Sequence, residues 1–151
     1  RVMDNIKFTD ANGKQNMEVL ETGKYNGQGK LNAPDGTVYI GEFKASQFGG
    51  QGSLTYSDGA VYVGEFKGGK FNGHGELISD GVTYVGQFKG SKFSGQGELT
   101  VSNGTTYVGG FKGGKYHGQG KYVEGTTGEV KTGEFRSGKF VKIIREEAEN
   151  G

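Results

Sequence analysis

The stretch YVGEFKGGKFNGHGELISDGVT, residues 62–83, combines dense glycine with few aliphatic side chains, and its reading decides the fold. In its first half Tyr62, Gly64 and Phe66 alternate with Val63, Glu65 and Lys67. In its second half Phe71, Gly73, Gly75 and Leu77 alternate with Asn72, His74 and Glu76. A two-residue alternation is the mark of a strand, whose successive side chains leave by opposite faces, and no helical stripe competes with it. The KGGK run at 67–70 and the Asp80-Gly81 pair supply turns, because glycine tolerates positive φ. The stretch therefore predicts two short strands joined as a hairpin.

The same pattern recurs along the chain. YIGEFKASQFGGQGSLTYSDGAV starts at Tyr39, YVGQFKGSKFSGQGELTVSNGTT at Tyr84 and YVGGFKGGKYHGQGKYVEGTTGEV at Tyr107, giving periods of 23, 22, 23 and 24 residues. Self-similarity at this period signals stacked structural units. Clear units span 39–61, 62–83, 84–106 and 107–130 within an array covering 23–140. GKYNGQGKLNAPDGTV from Gly23 matches a second half-unit and TGEFRSGKF, 132–140, a first half-unit; residues 1–22 hold degenerate half-units and 141–151 a tail. The expected fold is all-β: an elongated, curved, single-layer antiparallel meander of stacked hairpins, with about twelve strands at roughly 4.8 Å each.

Parity explains the glycine. Glycines fall on the same face as the rings, so each missing side chain leaves a slot where a neighbouring ring lies flat against backbone. Phe and Tyr each bury about 150–250 Å², which offsets a hydrophobic content of only 31%. With 18 Lys plus Arg against 17 Asp plus Glu, the net charge is +1, without the charge excess typical of disorder.

The repeated pattern Y-x-G-x-F-x-x-G/S-x-x-x-G-x-G resembles the MORN repeat (membrane occupation and recognition nexus) over roughly residues 16–140. Where that family commonly carries Trp, this chain has Phe43, Phe66, Phe88, Phe111 and Phe135, which keeps an aromatic wedge. The resemblance implies a non-catalytic module that binds protein partners along its sheet, with membrane-lipid binding also associated with the family. A scaffold or adaptor is thus expected, with Tyr62, Phe66, Tyr84, Phe88, Tyr107 and Phe111 as anchors in an aromatic and glycine groove.

The alternative expectation is peripheral binding to anionic phospholipid. Lys67, Lys89 and Lys112 share one repeat position and Lys70, Lys92 and Lys115 another. Stacking spaces each column at about 9.6 Å, comparable to the Debye length of about 8 Å in physiological salt, so the columns could meet lipid phosphates. Lysine also guards long sheets against aggregation. Nucleic acid is not expected, since balanced charge lacks a basic footprint.

No enzymatic constellation emerges. GQG and GHG recur in every unit without a following helix, so they imply no phosphate-cradling loop. His74 and His117 occupy different repeat positions, Cys is absent, and no metal site or cofactor is expected. The Asp-Gly turns offer one acid each, too few oxygens for calcium.

At the ends, VKIIREEAENG from Val141 contains good helix formers and the i, i+4 pair Lys142 and Glu146, which allows a short capping helix with Ile143 and Ile144 as its contacts. An uncovered edge strand invites pairing with a partner or a second copy, giving a homo-oligomer. The absence of Cys fits oxidising and reducing compartments alike. The first residue is Arg1 rather than Met, from which a removed leader or anchor and a membrane-associated or cell-envelope location are expected.

Overall fold

The computed structural model describes residues 7–9 and 25–143. Strands β1 (Lys7–Thr9), β2 (Gly27–Asn32), β3 (Val38–Lys44), β4 (Gln47–Thr55), β5 (Val61–Lys67) and β6 (Lys70–Ser79) form its first half. Strands β7 (Val82–Lys89), β8 (Lys92–Thr100), β9 (Thr106–Lys112), β10 (Lys115–Val123), β11 (Val130–Arg136) and β12 (Lys139–Ile143) complete it. All twelve lie in one sheet in chain order, each antiparallel to the next. The fold is an open, single-layer meander.

Two kinds of turn alternate. Inside each unit the hairpin is a two-residue loop with both central residues at positive φ: Gly68 and Gly69 at 58° and 82°, Gly113 and Gly114 at 58° and 86°. That backbone twist matches the twist of the flanking strands. Ala45 and Ser46 adopt it too, at 52° and 65°, without any glycine. Between units the turns at Asp35, Asp58 and Asn103 are closed by the side chain, whose Oδ1 accepts from the amide two residues on at 2.9, 3.0 and 2.9 Å. Asp80 and Gly81, at φ 54° and 79°, sit directly between β6 and β7 with Ser79 opposite Val82. This loop is tighter than its counterparts, which accounts for the 22-residue period.

The hairpin tips also tie units together. The second turn amide donates to the carbonyl of a ring residue in the preceding unit: Gly69 to Phe48 at 2.9 Å, Ser91 to Phe71 at 2.9 Å, Gly114 to Phe93 at 3.0 Å and Gly138 to Tyr116 at 2.9 Å. Ser91 Oγ in turn accepts from the Phe71 amide at 3.1 Å.

The core is a single ladder of rings on one face. Gly64 and Gly75 oppose each other across β5 and β6, and a Cβ on Gly75 would lie 2.5 Å from Cε1 and Cζ of Tyr62. The Tyr62 ring therefore rests on bare backbone. Phe71 stacks on its other side, centroids 3.8 Å apart at 5°, while Phe66 and Phe88 of the next unit meet it edge-on at 5.0 and 5.1 Å. Tyr39, Tyr84 and Tyr107 repeat the arrangement.

One expectation at the C-terminus is corrected. Val141–Ile143 continue β12 as strand rather than starting a helix, and Ile143 is 64% exposed. Pairing with β11, whose Gly133 opposes Ile143, outweighs helix propensity there. Residues 144–151, with Ile144 and the Glu146 of the expected pair, lie outside the described residues, as does most of the segment 1–22.

Candidate binding surface

The six anchor rings expected from sequence all fall on one face, at its deepest level. Tyr62, Tyr84 and Tyr107 are 0% exposed, and Phe66, Phe88 and Phe111 are 4%, 3% and 5% exposed. They form the wall and floor of the ladder. Phe48, Phe93 and Tyr116, the rings that begin the second strand of each hairpin, are only partly buried and stack over the tyrosines at 3.8, 3.8 and 3.9 Å. Together with Phe71 they form the outermost aromatic layer. Period-two parity finds the face these rings share but does not order them in depth.

Each buried tyrosine hydroxyl is satisfied locally. Tyr39, Tyr62 and Tyr84 donate to the carbonyl three residues on, at Glu42, Glu65 and Gln87, all at 2.7 Å; Tyr107 does so to Gly110 at 2.9 Å. Burial, which disfavours the phenolate, pushes Tyr39, Tyr62 and Tyr84 up to about 12. The nearby carboxylates of Glu42 and Glu65 add to this for Tyr39 and Tyr62.

Most of the lysines of the repeats collect along one margin of the sheet. Lys67 faces Lys70, Lys89 faces Lys92, Lys112 faces Lys115 and Arg136 faces Lys139 across successive hairpin tips. Like charges directly opposite on paired strands repel. The other margin carries the acidic turns at Asp35, Asp58, Asp80 and Glu124, because a meander sends alternate turns to opposite ends. Hydrogen bonds from Thr37 lower the Asp35 carboxyl below its usual value, and those from Thr127 and Thr126 do the same for Glu124. A net charge of +1 thus conceals a basic rim facing an acidic one. Between adjacent tips, Lys67 and Lys89 line a hollow of 380 Å³ with Asn72, Gln87 and Ser94.

With rings, glycines and tips all repeating in register, the MORN repeat family model matches the chain five times, over residues 23–38, 39–61, 62–82, 84–106 and 107–123. The chain belongs to the MORN repeat family. No curated protein matches it. MORN repeats are generally protein- or lipid-interaction modules, and the family is generally non-enzymatic. Among the described residues, no three His, Cys, Asp or Glu side chains form a group able to hold a metal ion, and no helix is long and apolar enough to cross a membrane.

In three of the MORN hairpins one further polar residue, Glu42, Glu65 or Gln87, has a structural task that its outward parity disguises. The second strand carries extra residues where it passes the first, a bulge between the Gly64–Gly75 and Phe66–Phe71 pairs. Its free amide, on His74, donates to Glu65 Oε2 at 2.8 Å. Gln51 and Gln96 donate likewise to Glu42 at 2.7 Å and Gln87 at 2.8 Å. By parity these acids look like solvated outer-face charges; the recurrence of Glu or Gln at one repeat position, opposite a glycine pair, is the signal that marks them as caps. Beside them a column of β-branched residues, Ile40, Val63, Val85 and Val108, stands about half exposed on the outer face.

Proposed function

We propose that this MORN array is a non-catalytic scaffold whose ring-bearing face receives a protein segment. The observation that carries the reading is the outermost aromatic layer, Phe48, Phe71, Phe93 and Tyr116, fixed at intervals of about two strand separations, or roughly 10 Å, on a buried floor of tyrosines. Phe48, Phe93 and Tyr116 are held rigidly with faces only partly covered, and Phe71 is covered further, at 8% exposed; such rings suit the role of binding anchors, since little side-chain freedom is lost on contact. The six deeper rings, Tyr62, Phe66, Tyr84, Phe88, Tyr107 and Phe111, position that layer. A displayed peptide library panned against the intact chain tests this. Selected segments should lose binding when Phe71 and Phe93 are changed to Ser and keep it when Val63 and Val85 are. Retention by the ring variants, checked as folded by circular dichroism, would reject the ring-bearing face as the docking surface.

A second reading, contact with anionic phospholipid, is favoured by the basic rim. Four successive pairs of like charges oppose one another, an arrangement that a phosphate-bearing surface relieves. Vesicles containing phosphatidylserine should sediment the chain at low salt and release it as ionic strength rises.

A further inference from the structure

The aromatic ladder is interrupted at the last hairpin, and the interruption leaves a socket. In the interior each tyrosine is opposed by a leucine: Leu54 by Tyr62, Leu77 by Tyr84, Leu99 by Tyr107. At the corresponding place between β10 and β11, Tyr122 opposes Lys131. Gly133 keeps its pair with Gly120 of β10, but on the β12 side it faces Ile143 where the interior hairpins place a second glycine. No tyrosine is therefore present to lie under Phe140 as Tyr62 lies under Phe71. Among the described residues, the Phe140 ring meets Phe135 at 5.2 Å and 60°, and no ring stacks on it.

The space so released is a cavity of 460 Å³ lined by Tyr116, Tyr122, Phe135 and Phe140, with Lys131 and Lys139 contributing its charged groups. That volume falls within the range of about 300–1,000 Å³ typical of ligand pockets. Among the described residues no carboxylate lines it, and the neighbouring Glu134 is already engaged by Arg136 at 2.9 Å and Lys142 at 3.7 Å. The walls are ring faces, and among the described residues no salt bridge engages the ammonium groups of Lys131 and Lys139. Four tyrosines elsewhere in the same molecule occupy the equivalent place, so the shape being offered is that of a phenol ring.

We propose that this terminal socket binds an aromatic residue flanked by carboxylates, supplied by a partner peptide, the ring entering the vacant ladder position and the acids pairing with Lys131 and Lys139. The proposal rests on the ring-bearing face being a protein-binding surface, and it names the chemistry of the segment taken at one end.

The probe is the synthetic peptide Ac-Glu-Glu-Tyr-Glu-Glu-amide, titrated into the 151-residue chain and followed by NMR at the aromatic signals. Shifts should concentrate on Tyr116, Tyr122 and Phe140 and be absent with Ala in place of the peptide's Tyr. Lys131→Tyr refills the ladder from within. It should raise the melting temperature and weaken the peptide by at least ~10-fold, while Lys139→Gln should weaken it ~3-fold, as expected for one exposed ion pair. Equal affinity for wild type and Lys131→Tyr would overturn the proposal, as would ring signals that do not respond because a second copy or the chain's own end already fills the socket. The Phe71→Ser and Phe93→Ser variants keep the two readings apart. They should lose peptides docked along the face yet bind this probe as wild type does.

Discussion

A phenol ring lying on two glycines, with its hydroxyl bonded three residues ahead, is the recurring event from which everything larger in this molecule is built. Because a Cβ on Gly75 would lie only 2.5 Å from Cε1 and Cζ of the Tyr62 ring, Gly75→Ala should destabilise by about 1–3 kcal/mol, the range for overpacking a core, measured by denaturant unfolding. Tyr62→Phe keeps the ring and leaves the Glu65 carbonyl without its donor, at a cost of about 1 kcal/mol. The caps make a sharper test. Since Gln87 does for one unit what Glu65 does for another, Glu65→Gln should be nearly silent and Glu65→Ala should cost about 1 kcal/mol. Alkaline pH acts at the same scale. Tyr39, Tyr62 and Tyr84 have folded values near 12 against an ordinary 10, so between those limits the unfolded chain gives up protons that the native one retains. The contribution of these tyrosines is then constant below pH ~10 and is lost as pH rises through the interval. Circular dichroism and tyrosinate absorbance followed together should show ionisation arriving with unfolding.

At the level of strands and turns, most of the structure was legible in the sequence because one rule repeats. Alternation of rings with polar residues fixed the strands, and the recurrence of KGGK-like runs fixed the hairpins. The Ala45–Ser46 turn has no glycine, and only alignment with its neighbours marks it as the same device. Its backbone is one that alanine adopts at a cost, so Ala45→Gly should stabilise by about 0.5–1 kcal/mol in thermal unfolding. Three features were not legible. Parity assigns a ring to a face and says nothing of layers, so the first-strand rings were expected as anchors although Tyr62, Tyr84 and Tyr107 are wholly covered. The bulge caps read as surface charge because their partner is a backbone amide, which no sequence displays. At Val141 local helix propensity competed with a sheet edge needing a partner, and the edge prevailed over residues 141–143.

At the scale of the molecule, extensive contact among the described strands is confined to those adjacent in the chain, so stability is close to a sum of unit and interface contributions. Native-state hydrogen exchange should accordingly show amides of β5 to β8 slowest and those of β2 and β12 opening first. The separation of charge between the two rims is invisible in the composition and becomes a pair of rims only when the units, each with a lysine-bearing tip or an acidic turn, are stacked. Changing Lys67, Lys89 and Lys112 together to Ala should remove most salt-sensitive sedimentation with phosphatidylserine vesicles, and association that persists unaltered in the triple variant would exclude the rim as its cause.

The bond from each hairpin tip runs to the unit before it, never to the one after, and so gives the stack a direction. A whole copy inserted in the middle would find a carbonyl waiting behind it and present an identical one ahead. Reach along the axis can therefore be lengthened or shortened in steps of one hairpin by duplicating or deleting a short run of codons, with no new joint to invent.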